Sequence, residues 1–469
     1  MQANKKIIRN KTQTHSVCSF SIIINSHFYT DCRLAPTITM EIRRRKKKSI
    51  VDILCDAIVP LASCVFVVFF IAVLCLLMSL VRTGGTPGMR TRSEDAQYQL
   101  DNRQIHHEPP SSKNGGIFHP DLLDSLEKSR VEKLRLPRVI ETVDDSLPYD
   151  IHRCPSVIPE NYPYAWSILD VLKHWNPDET RIPDTIHQGL CALDWTDPVQ
   201  KKIAVHYRKS EVPFIIKNHP QIWRTADRWS DYDYLHGKLG DEPYRNEYSQ
   251  NNHMMYWKSR GGKEPPGWKP PTENTVLLYP DWYQKAKALE DDPDSSASAE
   301  HYYFRFSGGK GGKGDWLYDE LPFFNPSTQD DITMVKPDQA RGINCRLGSR
   351  GTIAELHYDE SRNLILILQG RKRYVLAHPD QCINMELYPT GHPSARHSLI
   401  NWSDPESWMH GGTNFRNGMV NEVVLDAGDG LYLPTYWFHF IVSLTLNYQC
   451  NARSGTSYEY QKPIRDCGF

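Results

Sequence analysis

The chain lacks a charge excess of either sign. Its 469 residues carry 55 Lys and Arg against 56 Asp and Glu, a formal net charge of −1, so there is no overall basic footprint of the kind nucleic-acid binding asks for. It has no internal repeat and no His-Glu-x-x-His metalloprotease motif. The glycine-rich stretch SGGKGGKGD at 307–315 lacks the Gly-x4-Gly-Lys-Ser/Thr spacing of a phosphate loop. It is read as a loop, like SRGGKEPPGWKPP at 259–271 and EDDPDSSASA at 290–299.

Charge is missing in one place above all. From Ala57 to Val81 there are 25 residues with none, longer than the about 20 apolar residues that cross a bilayer as a helix. A cleaved signal has a shorter apolar region, and a core helix is rarely apolar all round. The stretch is therefore read as a membrane span within 50–81. The run RRRKKK at 43–48 precedes it, whereas only Arg82, Arg90 and Arg92 follow closely, partly offset by Glu94 and Asp95. The positive-inside rule then places residues 1–49 in the cytosol. The body lies in a lumen, endoplasmic reticulum or Golgi, or outside the cell, as in a single-pass type II protein with a signal anchor. Residues 82–150 read as a stem with one helix near 121–134, and the folded body starts near 151.

Of the 11 cysteines, six follow the span: Cys154, Cys191, Cys345, Cys382, Cys450 and Cys467. An even number permits disulfides without giving their pairing. Asn401-Trp402-Ser403 is a glycosylation sequon. The 24 tyrosines and 12 tryptophans argue for a packed body. Its short runs rich in β-branched and aromatic residues, at 211–218, 343–347, 363–368, 373–377, 422–426, 431–433 and 438–444, are separated mostly by turn residues. They predict a mainly β, double-sheet jelly roll. Helices are expected before residue 210, around SILDVLKHW, and after Asp281.

Within ELHYDESRN, 355–363, His357 and Asp359 stand two residues apart. On a strand they share a face. His439 follows Gly428-Asp429-Gly430 and Pro434 on a later strand. Two histidines and one carboxylate on one face of an octahedral iron leave about three positions open, the facial triad of non-haem Fe(II) oxygenases. Alone, a His-x-Asp pair is common and a strand histidine is more often a core residue; the later histidine segment raises the metal reading.

The segments HYDESRNLILILQGRKRYVLAHPDQ, LYPTGHPSARHSLINWSDPE and LDAGDGLYLPTYWFHFIVSL resemble the JmjC and cupin-like 2-oxoglutarate oxygenases, most of all the factor-inhibiting-HIF type of asparaginyl hydroxylase. The likeness is strongest over 343–451 and extends more weakly back to about 185. It implies a double-stranded β-helix with flanking helices. It also implies Fe(II) on His357, Asp359 and His439, with 2-oxoglutarate and O2 as cosubstrates. Lys372 would pair with the distal carboxylate of 2-oxoglutarate, as a buried dianion requires, and alternation would turn Arg371 and Arg373 to the other face. Asn363 and Asn451 match polar positions of that pocket. Tyr303, favoured over Tyr302, would add a hydroxyl. Ala354 stands where the family often has a threonine that bonds the cosubstrate; Thr352 is a candidate replacement. Arg396 matches a substrate-contacting arginine. The glutamine that follows it in the asparaginyl hydroxylase, where it grips the target amide, is His397 here. The expected activity is hydroxylation of a protein or peptide side chain. A tRNA or small-molecule hydroxylase and a non-catalytic cupin-fold receptor are the alternatives.

Overall fold

The computed structural model describes residues 140–469 except 144–146, 260–263, 293, 295–296, 310, 313, 326–334 and 411–413. These belong to the second of two units, Gly115–Phe469. The tail, the expected membrane span and the helix expected near 121–134 lie outside the described residues. No helix among the described residues is long and apolar enough to cross a membrane.

Eight antiparallel strands form the centre. They are β1 (Ala340–Gly348), β2 (Ile353–Tyr358), β3 (Asn363–Gln369), β4 (Arg371–Ala377), β5 (Met419–Asp426), β6 (Gly430–Leu433), β7 (Phe438–Ser443) and β8 (Asn447–Ser454). One sheet runs β6-β3-β8-β1 and the other β5-β4-β7-β2. Consecutive strands thus alternate between the sheets, except that β4 and β5 are neighbours in one, the winding of a double-stranded β-helix. The first sheet is extended to nine strands by Ala192–Asp194 and Phe214–Lys217 at one end and by His301–Gly308, Tyr244–Ser249 and Glu273–Leu277 at the other. The second gains Trp166–Ser167 and His253–Met254.

Strand alternation divides the side chains between layers. On β3, Leu364, Leu366 and Leu368 pack outward into a cluster with Trp229, Trp282 and Phe304. Ile365 and Ile367 point between the sheets, against Tyr374, Leu431 and Ile441. A strand buried on both faces reads as a continuous apolar run, which is why NLILIL stood out. The outer cluster is roofed by the helices Pro198–Lys209, Pro220–Trp229 and Tyr279–Asp291. The first begins at Asp197, whose carboxylate accepts from the Val199 N–H at 2.8 Å, with proline at its first position. The helix Ile168–His174 lies over the other sheet. Gly370 makes the β3–β4 turn with φ +68°; a Cβ there would meet the Leu446 carbonyl oxygen at 2.1 Å.

All strand segments expected from the sequence form strands. The expected loop at 307–315 begins later, because the strand His301–Gly308 runs into it. The helices Pro220–Trp229 and Tyr232–Leu239 and the polar strands Tyr244–Ser249 and Asn447–Ser454 were not anticipated.

All six cysteines of the body pair: Cys154 with Cys191, Cys345 with Cys450, and Cys382 with Cys467. Cys345 and Cys450 are direct neighbours on β1 and β8. Mass-spectrometric mapping of the unreduced protein is expected to return these three linkages and no alkylatable thiol among the six. A free Cys345 or a different pairing would contradict the fold's register.

Candidate active site

The strand β2 carries one extra residue. Ala354 faces Ile441 and His357 faces His439, so three steps on β2 match two on β7. This bulge switches the parity: Ile353, Leu356 and Tyr358 all pack into the cluster on the second sheet's outer face, with the helix Ile168–His174, while His357 joins His439 on the inner side. Asp359 follows at the strand's end, its carbonyl accepting from Tyr436 N–H at 2.8 Å. Among the described residues, His357, Asp359 and His439 form a group whose ligand atoms all lie within 4.8 Å of one another.

Hydrogen bonds set the tautomers. His357 Nδ1 lies 2.7 Å from the Glu355 carbonyl and His439 Nδ1 lies 3.1 Å from the Trp437 carbonyl. A carbonyl only accepts, so Nδ1 carries the proton on both rings and each Nε2 keeps a lone pair for a metal. Burial, then the neighbouring His439 and His397 rings, hold His357 well below the usual imidazole range, and burial lowers His439 too. Burial alone would raise Asp359, but Arg453 and the two imidazoles outweigh it and keep the carboxylate well below its usual range. Arg453 Nη2 donates to Asp359 Oδ2 at 2.7 Å, which leaves the other oxygen for a metal. Neutral imidazoles beside an ionised carboxylate are the states that a divalent cation needs.

Lys372 is fully buried, not the solvated turn lysine that its basic neighbours suggest. Its Nζ donates to Tyr303 Oη at 2.8 Å and to Gln449 Oε1 at 3.0 Å. Tyr374 donates to the same Gln449 oxygen at 2.5 Å. Among the described residues no carboxylate pairs with Lys372. Burial lowers the ammonium's pKa, opposed by Tyr303. Tyr302 instead donates to Glu300 at the surface. Asn451 Nδ2 donates to Asn363 Oδ1 at 2.8 Å, and both side chains are buried. Thr352 lies with its hydroxyl 3.1 Å from Ser349 Oγ. Ala354 packs against the apolar interior.

The expected substrate residues differ in exposure. Arg396, at φ +78°, lies over the Tyr358 ring and reaches Glu360 at 3.3 Å. His397 is buried, its ring stacked on His357 with centroids 5.1 Å apart, and burial pushes it down to about 4. Its backbone bridges to His357. Two open clefts, of about 570 Å3 beside Cys382 and Cys467 and about 700 Å3 beside Arg350 and Arg371, contain none of these residues; donor chemistry, not concavity, marks the site.

Three residues here were not anticipated: Gln449, Arg453 and Arg346, whose Nη1 donates to Asn451 Oδ1 at 3.2 Å. The signal for the first two was the alternation in NYQCNARS. Asn447, Gln449, Asn451 and Arg453 share one face, while Tyr448, Cys450 and Ala452 pack into the outer core.

A model of the cupin-like domain family matches residues 200–455, more than half the chain. The chain belongs to this family. Among curated proteins it is 23% identical over 244 residues to the lysine-specific demethylase JMJ30 of Arabidopsis thaliana, covering 50% of this chain and 48% of that one. It is 24% identical over 240 residues to the Jumonji C domain-containing protein 5 of Drosophila melanogaster, covering 49% and 51%. It is 30% identical over 109 residues to the tRNA wybutosine-synthesizing protein 5 of Danio rerio, covering 23% and 31%. The chain thus spans about half or less of the length of these relatives.

The environments of Lys372 and its flanks separate three substitutions. Arg371 and Arg373 do face away from Lys372, pairing with Asp426 and Glu422. Arg371 is half-buried, but Arg373 is fully buried and also donates to the Trp175 carbonyl at 2.9 Å. Lys372→Ala is expected to weaken 2-oxoglutarate binding by about tenfold or more, the worth of a charge-assisted contact, with Mn(II) affinity unchanged. Arg371→Ala should change neither. Arg373→Ala takes from the buried Glu422 its arginine partner, leaving only His187, and should cost about 3–5 kcal/mol of stability while weakening 2-oxoglutarate binding much less than Lys372→Ala does. Ligand titrations and urea unfolding read these apart; equal losses of cosubstrate affinity at all three would refute a specific carboxylate partner.

Proposed function

We propose that the protein is a membrane-anchored Fe(II)- and 2-oxoglutarate-dependent oxygenase that hydroxylates a protein side chain. The observation that carries the reading is the pairing of two features on one inner face. A two-histidine, one-carboxylate group has its lone pairs free, and among the described residues no carboxylate pairs with the buried Lys372. Arg453, Asn451 and Gln449 follow one another at alternate positions of β8, linking Asp359 to Lys372. The three side chains form a polar row between the triad and Lys372, the chemistry that a dicarboxylate spanning from metal to ammonium would meet.

Bound iron and 2-oxoglutarate would supply the oxidising power: one atom of O2 goes to the substrate and the other into succinate, with release of CO2. The chain's part is to orient and to exclude. Lys372 and Tyr303 hold the distal carboxylate at the closed end. Asn363 and Asn451 line its flank. Arg453 fixes the Asp359 carboxylate, and the apolar interior around Ile365, Tyr374 and Ile441 keeps water from the back of the pocket.

Protein is favoured over tRNA as substrate. The six paired cysteines support an oxidising compartment, and the net charge of −1 offers no general hold on nucleic acid. The same pairing, with RRRKKK before the apolar stretch, supports a luminal or extracellular body. The sequon's Asn401 is exposed. The likeness to the asparaginyl hydroxylases is kept for the cosubstrate end and not for the target, since His397 stands where the amide-gripping glutamine would be. A cupin-fold receptor would have no use for an unpaired buried Lys372.

The full-length protein with Fe(II), O2 and 2-oxoglutarate is expected to form succinate, and Asp359→Ala to form none; equal turnover by both would discard the reading. In sealed microsomes the body should resist protease until detergent is added, and Asn401→Gln should remove any glycan at this sequon. Digestion without detergent would reverse the topology.

A further inference from the structure

Three arginines stand in direct register across neighbouring strands. Arg245 pairs with Arg305, Arg305 with Arg346, and Arg346 with Gln449, the residue that holds Lys372. The row runs from an exposed Arg245 through half-buried Arg305 and Arg346 to a buried Gln449. All belong to the inner face. Tyr303, of the same parity as Arg305, reaches Lys372, and Arg346 reaches Asn451. Like charges placed opposite one another destabilise a sheet, so the row is costly to the fold alone.

The carboxylates nearby do not balance it. Glu247 is shared by Arg305 and Arg245. Asp359 is held by Arg453. Glu355 and Glu360 are taken by His253 and Arg396. Among the described residues no carboxylate pairs with Arg346. Binding a divalent metal together with a dianionic cosubstrate adds no net charge, so the cationic excess survives loading. Lys372 is fully buried, whereas Arg346 and Arg453 are part-exposed and so within reach of a group that enters from outside.

We propose that the side chain presented to this site is acidic, an aspartate or glutamate of a peptide, recognised through Arg346 with Arg453 and Arg305 as its electrostatic surround. This rests on the oxygenase reading above. It accords with the loss of the amide-gripping glutamine at His397. A phosphate backbone would be drawn by the same cations, but the disulfide-bonded body favours a peptide.

The test is binding, not turnover. Full-length protein loaded with Mn(II) and N-oxalylglycine, an inert analogue of the cosubstrate, is titrated with labelled peptide pools whose central residue is Asp or Glu, Asn or Gln, or Lys or Arg. Acidic pools are expected to bind about tenfold tighter than amide pools, the factor that one charge-assisted contact carries, and less tightly as salt rises. Arg346→Gln keeps a donor for Asn451 and should abolish the preference while leaving Mn(II) affinity unchanged. Amide or basic pools that bind as well as acidic ones, or single-stranded RNA that outcompetes them, overturn the inference. So does Arg346→Gln that weakens N-oxalylglycine and not the acidic preference, because the guanidinium would then belong to the cosubstrate. If neither Mn(II) nor N-oxalylglycine binds, the oxygenase reading fails and the inference with it.

Discussion

The convergence of His357, Asp359 and His439, on which the proposed metal site rests, depends on a single extra residue between Ala354 and His357. A strand presents alternate residues to alternate faces, so without the bulge Leu356 would point inward and His357 would point into the outer core. With it, His357 comes opposite His439, their ring centroids 4.2 Å apart, and Asp359 completes the group. The carbonyls of Glu355 and Trp437 then hold both rings with Nε2 free. Fold and chemistry meet here: the same backbone irregularity that breaks the ladder aims the ligands.

The space between the sheets has two halves of opposite character. Ile365, Ile367, Leu376 and Val423 make one apolar. The inner faces of β8, β1 and His301–Gly308 make the other polar, with Gln449, Asn451, Arg453, Arg346, Arg305 and Tyr303. A buried ammonium such as Lys372 is tolerable only with hydrogen bonds and a counter-charge. Tyr303 and Gln449 supply the first; among the described residues no carboxylate supplies the second, which the proposed dianionic cosubstrate would. The same reasoning, applied to the arginines beside it, underlies the proposed acidic substrate.

What could be read from the sequence follows from where each signal is written. His357, Asp359 and His439 stood out because the first two share a strand face and the third follows a glycine turn. β3 stood out because a strand buried on both sides is apolar throughout, and β4 and β7 by their aromatic and β-branched runs, in spite of Lys372, Arg373 and His439. Asn447–Ser454 and Tyr244–Ser249 did not, because their inner faces serve a polar pocket and their composition resembles a loop. The helix Pro220–Trp229 was missed although Ile222, Trp223, Ala226 and Trp229 fall on one buried face. Arg346 was invisible for a different reason. Its role comes from long-range register beside Gln449, and no local spacing encodes that. The burial of Arg373 was likewise set by Glu422 and Trp175, far away in the chain.

Whether one divalent metal and one dicarboxylate share the face defined by the triad and Lys372 is decided by diffraction at the iron absorption edge, from crystals grown anaerobically with Fe(II) and 2-oxoglutarate. One anomalous peak is expected within bonding distance of His357 Nε2, Asp359 and His439 Nε2, with density for the cosubstrate running from the metal to Lys372 Nζ and Tyr303 Oη. A peak elsewhere, or a cosubstrate whose distal carboxylate turns away from Lys372, would contradict it.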